Sequence, residues 1–261
     1  MSHDHHDEYN EQFVAGLEWM WGKGFMSPGG AEEVAAILEG IDVRGMRVLD
    51  IGCGIGGIDA LLVKQHGAAH VTGIDVEAPL IKRAREMAIS AELTQNLTFQ
   101  HIAPGSLPFD DNSFDLVFSK DALLHIPDKS AIYADIFRVL KPGGHVAFSD
   151  WFGSDLPDTL EYLEWLVVIG LTLEMGTIDA ATRLMAAIGF DHIKQNDRNA
   201  WYAQNILEEL ATLQGEQFDR LIAQQGLEFA QQRLKSSSLK KVVVDQGMLR
   251  PGHIQAQKPT F

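Results

Sequence analysis

Along the middle of the chain, short apolar runs alternate with longer segments of helix-like composition. The runs fall at 47–51, 71–75, 97–102, 114–119 and 145–150, and the helical segments at 58–66, 79–92 and 130–140. Strands alternating with helices predict a parallel, doubly wound α/β sheet. Lys141-Pro142-Gly143-Gly144 reads as a breaker between the last of these helices and its strand.

Beyond Asp150 the pattern changes. Residues 156–175 read as one long apolar helix, a lid or a wall, and 179–188 as a second helix stopped by Gly189. A sixth strand is expected at 190–196, helical stretches at 201–213 and 217–244, and a final alternating strand at 252–258. The first thirty residues read as helical and end in the turn Ser27-Pro28-Gly29-Gly30. The expected whole is one domain with a seven-stranded, mostly parallel sheet. It has a cap at 1–30, a core at 31–150, a helical lid with the sixth strand at 151–250 and the last strand at 251–261.

Composition narrows the function classes. With 261 residues, the chain is long enough to bury a large core without cross-links. Its charge is 21 − 36 = −15, which opposes tracking a phosphate backbone or an anionic membrane. One cysteine, Cys53, excludes an internal disulfide and suits a reducing, cytoplasmic setting. The polar start, residues 1–10, has no secretion-signal pattern, and His3, His5 and His6 read as a solvated tail rather than a metal site. The apolar stretch 165–173 falls far short of the ~20 residues a membrane helix needs.

The strongest chemical signal is Gly52-Cys53-Gly54-Ile55-Gly56-Gly57 between a predicted strand and helix. Glycines at 52, 54 and 57 permit a tight turn and close approach of backbone to a ligand. Asp75, at the end of the next strand, is placed to accept hydrogen bonds from ribose hydroxyls. Two cofactor classes fit: a nicotinamide or flavin dinucleotide, and S-adenosylmethionine. Asp50, two residues before the first glycine, suits the cationic end of S-adenosylmethionine better than a pyrophosphate.

These residues, with Leu107-Pro-Phe-Asp-Asp-Asn-Ser-Phe-Asp115 and Leu140-Lys-Pro-Gly-Gly144, resemble class I S-adenosylmethionine-dependent methyltransferases. Tyr9, the segment Trp21 to Gly30, Ser119-Lys-Asp-Ala-Leu-Leu-His125 and Gly252 to Lys258 are similar to phosphoethanolamine N-methyltransferases and other small-amine methyltransferases. The resemblance implies that Tyr9 and His125 close the site and assist proton removal, and that Asp121 meets the acceptor amine. It implies a cofactor set of Met26, Ser27, Asp50, Gly52, Gly54, Gly57, Asp75, Val76, Pro104, Ser106 and Lys120.

Two positions depart from the family. Ala103 stands where an acid usually meets the adenine amino group, so backbone or Ser106 must serve. The segment 161–171, where the family grips phosphate with tyrosine and arginine, has no arginine. A less anionic acceptor is therefore admissible.

The chemistry expected is methyl transfer to a small-molecule amine. If residues 121–125 begin a helix, Asp121 and His125 share one face, and a neutral imidazole there is a suitable base. Capping is the rival role for both residues. Trp19, Trp21, Trp151 and Trp165 form either core or an aromatic wall for an ammonium centre; Trp21, Trp151 and Trp165 are the candidate substrate contacts. An oxygen, carbon or sulfur acceptor on an apolar metabolite, a nicotinamide-dependent oxidoreductase and a non-catalytic binding module stay open as alternatives. A nucleic-acid methyltransferase is opposed by the charge and by the absence of a Pro-Pro-aromatic motif after Ser119.

Overall fold

The structure is a computed structural model that describes residues 9–260. The histidines at 3, 5 and 6 and the first eight residues lie outside the described residues. Seven strands form one sheet in the order β3-β2-β1-β4-β5-β7-β6. They are β1 (Arg47–Ile51), β2 (His70–Asp75), β3 (Leu97–His101), β4 (Phe114–Lys120), β5 (Leu140–Phe152), β6 (Asp191–Asp197) and β7 (Arg250–Gln257). β1 to β5 pair in parallel, while β7 runs antiparallel to both β5 and β6. This is the doubly wound, mostly parallel sheet expected from the alternation.

Period-two alternation sends successive side chains to opposite faces. Leu49, Val117, Val146 and Phe148 join one core with α5 (Lys129–Val139) and α7 (Ile178–Ile188). Val48, Leu116, Phe118 and Ala147 join the other, with α2 (Gly30–Ile37), α3 (Gly57–Lys64) and α4 (Ala78–Ser90). Burial on both faces explains why these strands read as apolar runs.

Several expectations are corrected. The breaker at 141–144 ends α5 but lies inside β5: pairing with β4 jumps from Phe114↔Leu140 to Leu116↔His145, so the Pro-Gly-Gly stretch bulges. The apolar segment 156–175 is helical only as α6 (Leu160–Ile169). Gly170, at φ 67°, caps it, and the chain continues without helix to α7. The segment 217–244 is two helices, α9 (Gly215–Gln225) and α10 (Leu227–Asp245), parted by Gly226 at φ 93°. They follow α8 (Asn199–Thr212). The N-terminal thirty residues hold α1 (Glu11–Trp21), capped by the Asn10 side chain, then a loop into α2. Among the described residues, no helix is long and apolar enough to cross a membrane.

Candidate active site

The carboxyl ends of β1, β2 and β4 converge where open α/β sheets bind ligands. The β1–α3 turn is tight because Gly52 takes φ 77° and its amide, with that of Cys53, donates to the Ile74 carbonyl. A side chain at Gly52 would meet the Ala122 methyl at 2.2 Å. Gly57 is needed for a different reason: a side chain there would lie 2.0 Å from the Gly24 carbonyl oxygen, so the N-terminal loop rests directly on the start of α3. Met26 covers Gly54 with its sulfur. Tyr9 and Met26 pack with Val14, Ile55 and Leu80, which seats α1 over the glycine turn.

Asp75 accepts from the Gly54 amide and the Glu77 amide, both at 2.9 Å. Burial raises its pKa and these amides oppose the rise. Val76 beside it is exposed, as are Ala103, Pro104 and Ser106 in the loop after β3. Asp50 shares the Val48 face of β1 and is buried under α3, close to the equally buried Asp59. Burial, reinforced by the charge and bonding of Asp59, drives Asp50 well above the usual carboxylate range. Burial pushes Asp59 up to about 7.

The end of β4 carries the second cluster. Lys120 is nearly fully buried, and its three donors reach the Ser27 hydroxyl, the Pro28 carbonyl at 3.0 Å and Asp121 at 3.0 Å. A lysine so occupied ties the N-terminal loop to β4 and has no donor left over. Asp121 sits at φ 55°, a strained conformation for a non-glycine residue. Its other oxygen accepts from the Ser149 hydroxyl at 2.8 Å. Burial alone would raise its pKa; the Lys120 charge and bonds from Ser149, Lys120 and Ser27 outweigh this and hold Asp121 low. It is therefore a carboxylate at neutral pH.

His125 follows in a single 3-10 turn, Leu123–His125, and α5 begins only at Lys129 with Asp128 as its cap. The expected helix face shared by Asp121 and His125 does not exist, and neither caps α5. His125 is fixed from both sides instead. Its Nδ1 lies 2.8 Å from the Thr172 carbonyl and its Nε2 3.3 Å from the Tyr9 hydroxyl. A carbonyl can only accept, so Nδ1 carries the proton in the neutral ring and Nε2 presents its lone pair to Tyr9.

The tryptophans divide. Trp19 packs with Met20, Leu213 and Leu221, away from the strand edge. Trp165 is wholly buried, stacked between Trp151 and Tyr162, so it is lid core and no open wall. Trp151 and Trp21 are half-buried and border the lid interior.

A family model for the methyltransferase domain matches residues 42–226. The chain belongs to the methyltransferase domain family. Phosphoethanolamine N-methyltransferase 1 of Arabidopsis thaliana is 33% identical to it over 210 residues, 80% of this chain and 42% of that protein. A sterol 24-C-methyltransferase of Gibberella zeae is 32% identical over 199 residues, 68% of this chain and 52% of that protein. The chain thus spans about two fifths to one half of the length of those relatives. In fold it is similar to phosphoethanolamine N-methyltransferase 2 of Haemonchus contortus in complex with phosphomonomethylethanolamine and S-adenosylhomocysteine. The TM-score is 0.89 at 25% identity, over 97% of this chain and 59% of that one.

Sequence reasoning passed over several residues in and beside the candidate site. Ser149 and Thr172 act through hydrogen bonds across 28 and 47 residues. Tyr202, Glu209, Arg233 and Lys240 meet under the lid. The only available signal was the seven-residue spacing of Arg233 and Lys240, which places two cations on one face of α10.

Proposed function

We propose that this protein transfers the methyl group of S-adenosylmethionine to the amine nitrogen of a small molecule. The observation that carries the reading is the group at the end of β4: an ionised Asp121 and a His125 whose Nε2 lone pair faces Tyr9. The phosphoethanolamine N-methyltransferases among the relatives support the amine. The charge of −15 favours a small acceptor over nucleic acid.

The residues suit the cofactor. Gly52 and Gly54 keep the turn clear of side chains, and the buried acids Asp50, Asp59 and Asp75 favour a cation. Asp75 retains acceptor capacity for ribose hydroxyls. Met26 and Gly57 shape the cradle, and Val76, Pro104 and Ser106 would border the adenine. Ser27 and Lys120 act as positioning residues. When bound, S-adenosylmethionine supplies an electrophilic methyl on a cationic sulfur.

Asp121 holds the acceptor as an ammonium by opposite charge. One proton passes from the ammonium to Nε2 of His125, directly or through the Tyr9 hydroxyl. The nitrogen lone pair then forms its bond to the methyl carbon as the carbon–sulfur bond breaks. The Thr172 carbonyl keeps the Nδ1 proton and stabilises the imidazolium. The cap and lid exclude water and orient nitrogen toward methyl, an effect worth up to ~7–11 kcal/mol in well-oriented reactions.

A second reading is methylation at carbon, oxygen or sulfur of an apolar metabolite, supported by the sterol 24-C-methyltransferase relative. The test is release of S-adenosylhomocysteine with phosphoethanolamine, ethanolamine, glycine, sarcosine, dimethylglycine and several apolar acids, against a no-acceptor blank. Turnover with amines is expected. Turnover with apolar acids alone would transfer the assignment to the second reading.

A further inference from the structure

Resting on the amine-methyltransferase reading, a charged cluster under the lid points to what the rest of the acceptor looks like. Ring contacts run without a break from Trp165 to Trp151 (5.8 Å), from Trp151 to Tyr202 (6.0 Å), and from Tyr202 through the Lys240 ammonium (5.7 Å) to Trp21 (5.9 Å). The Arg233 guanidinium lies 5.5 Å from the same Trp21 ring. The cluster is tied to the end of β4 through β5: Trp151 lies two residues past Ser149, whose hydroxyl donates to Asp121 at 2.8 Å.

Its hydrogen bonding is incomplete. Arg233 Nη2, the Tyr202 hydroxyl, Trp151 Nε1 and Trp165 Nε1 are buried with no hydrogen-bond partner among the described residues. Folded proteins leave few such atoms, and four donors in one aromatic cluster need an acceptor from elsewhere. The charges define what it is. Arg233 and Lys240 bring two positive charges. Glu209 bonds Lys240 at 2.8 Å, accepts from the Ser237 hydroxyl at 2.5 Å, and lies 3.6 Å from Arg233, beyond hydrogen-bond reach. Burial works against the Glu209 charge, but Lys240 and Arg233 outweigh it and keep the group ionised. One cation is cancelled, and one guanidinium edge stays open.

We propose that Arg233, with Tyr202 and Trp151, binds the anionic end of the acceptor, and that Glu209, by neutralising Lys240, sets this subsite for one negative charge. The acceptor class is then an amino acid carboxylate rather than an aminoalkyl phosphate. Asp121 takes the ammonium and Arg233 the carboxylate of one zwitterion. A planar guanidinium edge suits a carboxylate, and a dianion would face the buried Glu209 charge.

Matched acceptors test this: glycine and sarcosine carry a carboxylate, phosphoethanolamine a phosphate, and ethanolamine no anion. In the wild-type enzyme the carboxylate amines are expected to exceed the other two in kcat/KM by about tenfold or more. Glu209→Gln is expected to shift the glycine-to-phosphoethanolamine ratio by about tenfold toward phosphate. Arg233→Met is expected to raise KM for glycine and sarcosine far more than it lowers kcat. Calorimetry of the same amines with S-adenosylhomocysteine present reads the subsite without turnover, so a failed amine assignment and a failed subsite are told apart. Wild-type preference for phosphoethanolamine, or ratios unmoved in both variants, would overturn the proposal while leaving the methyltransferase reading intact.

Discussion

Around the glycine turn, backbone amides close on acceptors within the protein. The Gly52 and Cys53 amides find Ile74, the Gly54 and Glu77 amides find Asp75, and Lys120 spends every donor on the N-terminal loop and Asp121. Under α6 and α10 the side chains do not: an arginine nitrogen, a phenol and two indoles are buried with no hydrogen-bond partner among the described residues. In the first region the loop amides are satisfied within the protein and, among the described residues, only the Asp59 carboxylate is left over; in the second it is the side-chain donors that are left over. A backbone-built site tolerates little change in shape. A site built of side chains tolerates change in shape but little in charge.

The sharpest way to break this comparison lies at His125. Its replacement by alanine removes the imidazole held between Tyr9 and Thr172, and kcat is expected to fall about 10²–10⁴-fold, as for loss of a general base. A full rate across pH would remove it from the chemistry. Next, Gly52→Ala forces a methyl into contact with Ala122 at a positive φ. Overpacking of this kind costs about 1–3 kcal/mol, with about 1–2 more for the left-handed conformation; urea denaturation of the purified variant measures both together.

The lid should respond in the opposite direction. Tyr202→Phe deletes a buried hydroxyl with no partner among the described residues, so the ligand-free variant is expected to match or exceed the wild type by up to ~1–3 kcal/mol. A clear loss of stability would mean that the hydroxyl is already satisfied and the two regions are alike.

The smallest effect concerns Asp59. A carboxyl whose pKa is raised on folding, here to about 7, contributes stability that is full below its unfolded pKa and lost as pH rises through the folded value. Asp59→Asn should therefore flatten the fall in Tm between about pH 5 and about pH 8, with roughly 2–4 °C expected per kcal/mol removed. Parallel Tm curves for the two proteins would show that the group titrates no differently when folded.

The comparison also explains what could be read from residues alone. Five strands and the glycine turn were readable because their causes are local: apolar runs buried on both faces, and glycines between strand and helix. The geometry of Asp121 and His125 was not. A helix face was the natural expectation, but Ser149 and Lys120 hold Asp121 at a positive φ and the chain makes only one 3-10 turn. The lid cations were missed for a related reason. Arginine was sought on 161–171, whereas the chain supplies it from α10, brought there by packing against α6 and α8. The division at Gly226 was hidden because composition on both sides of it favours helix equally.

The carbonyl that orients His125 comes from Thr172, in the segment just past α6, and Glu174 of that segment donates to the Leu124 carbonyl at 2.8 Å. The tautomer of the imidazole is thus written by a piece of the lid. On the proposed mechanism, losing that hydrogen bond would free Nδ1, let the proton move to Nε2 and leave no lone pair facing Tyr9. The same segment carries Leu173 and Met175 into the apolar cluster of Trp165 and Tyr202. On the proposed mechanism, the contact that readies the base and the contacts that seal the lid cluster therefore belong to one short stretch of chain.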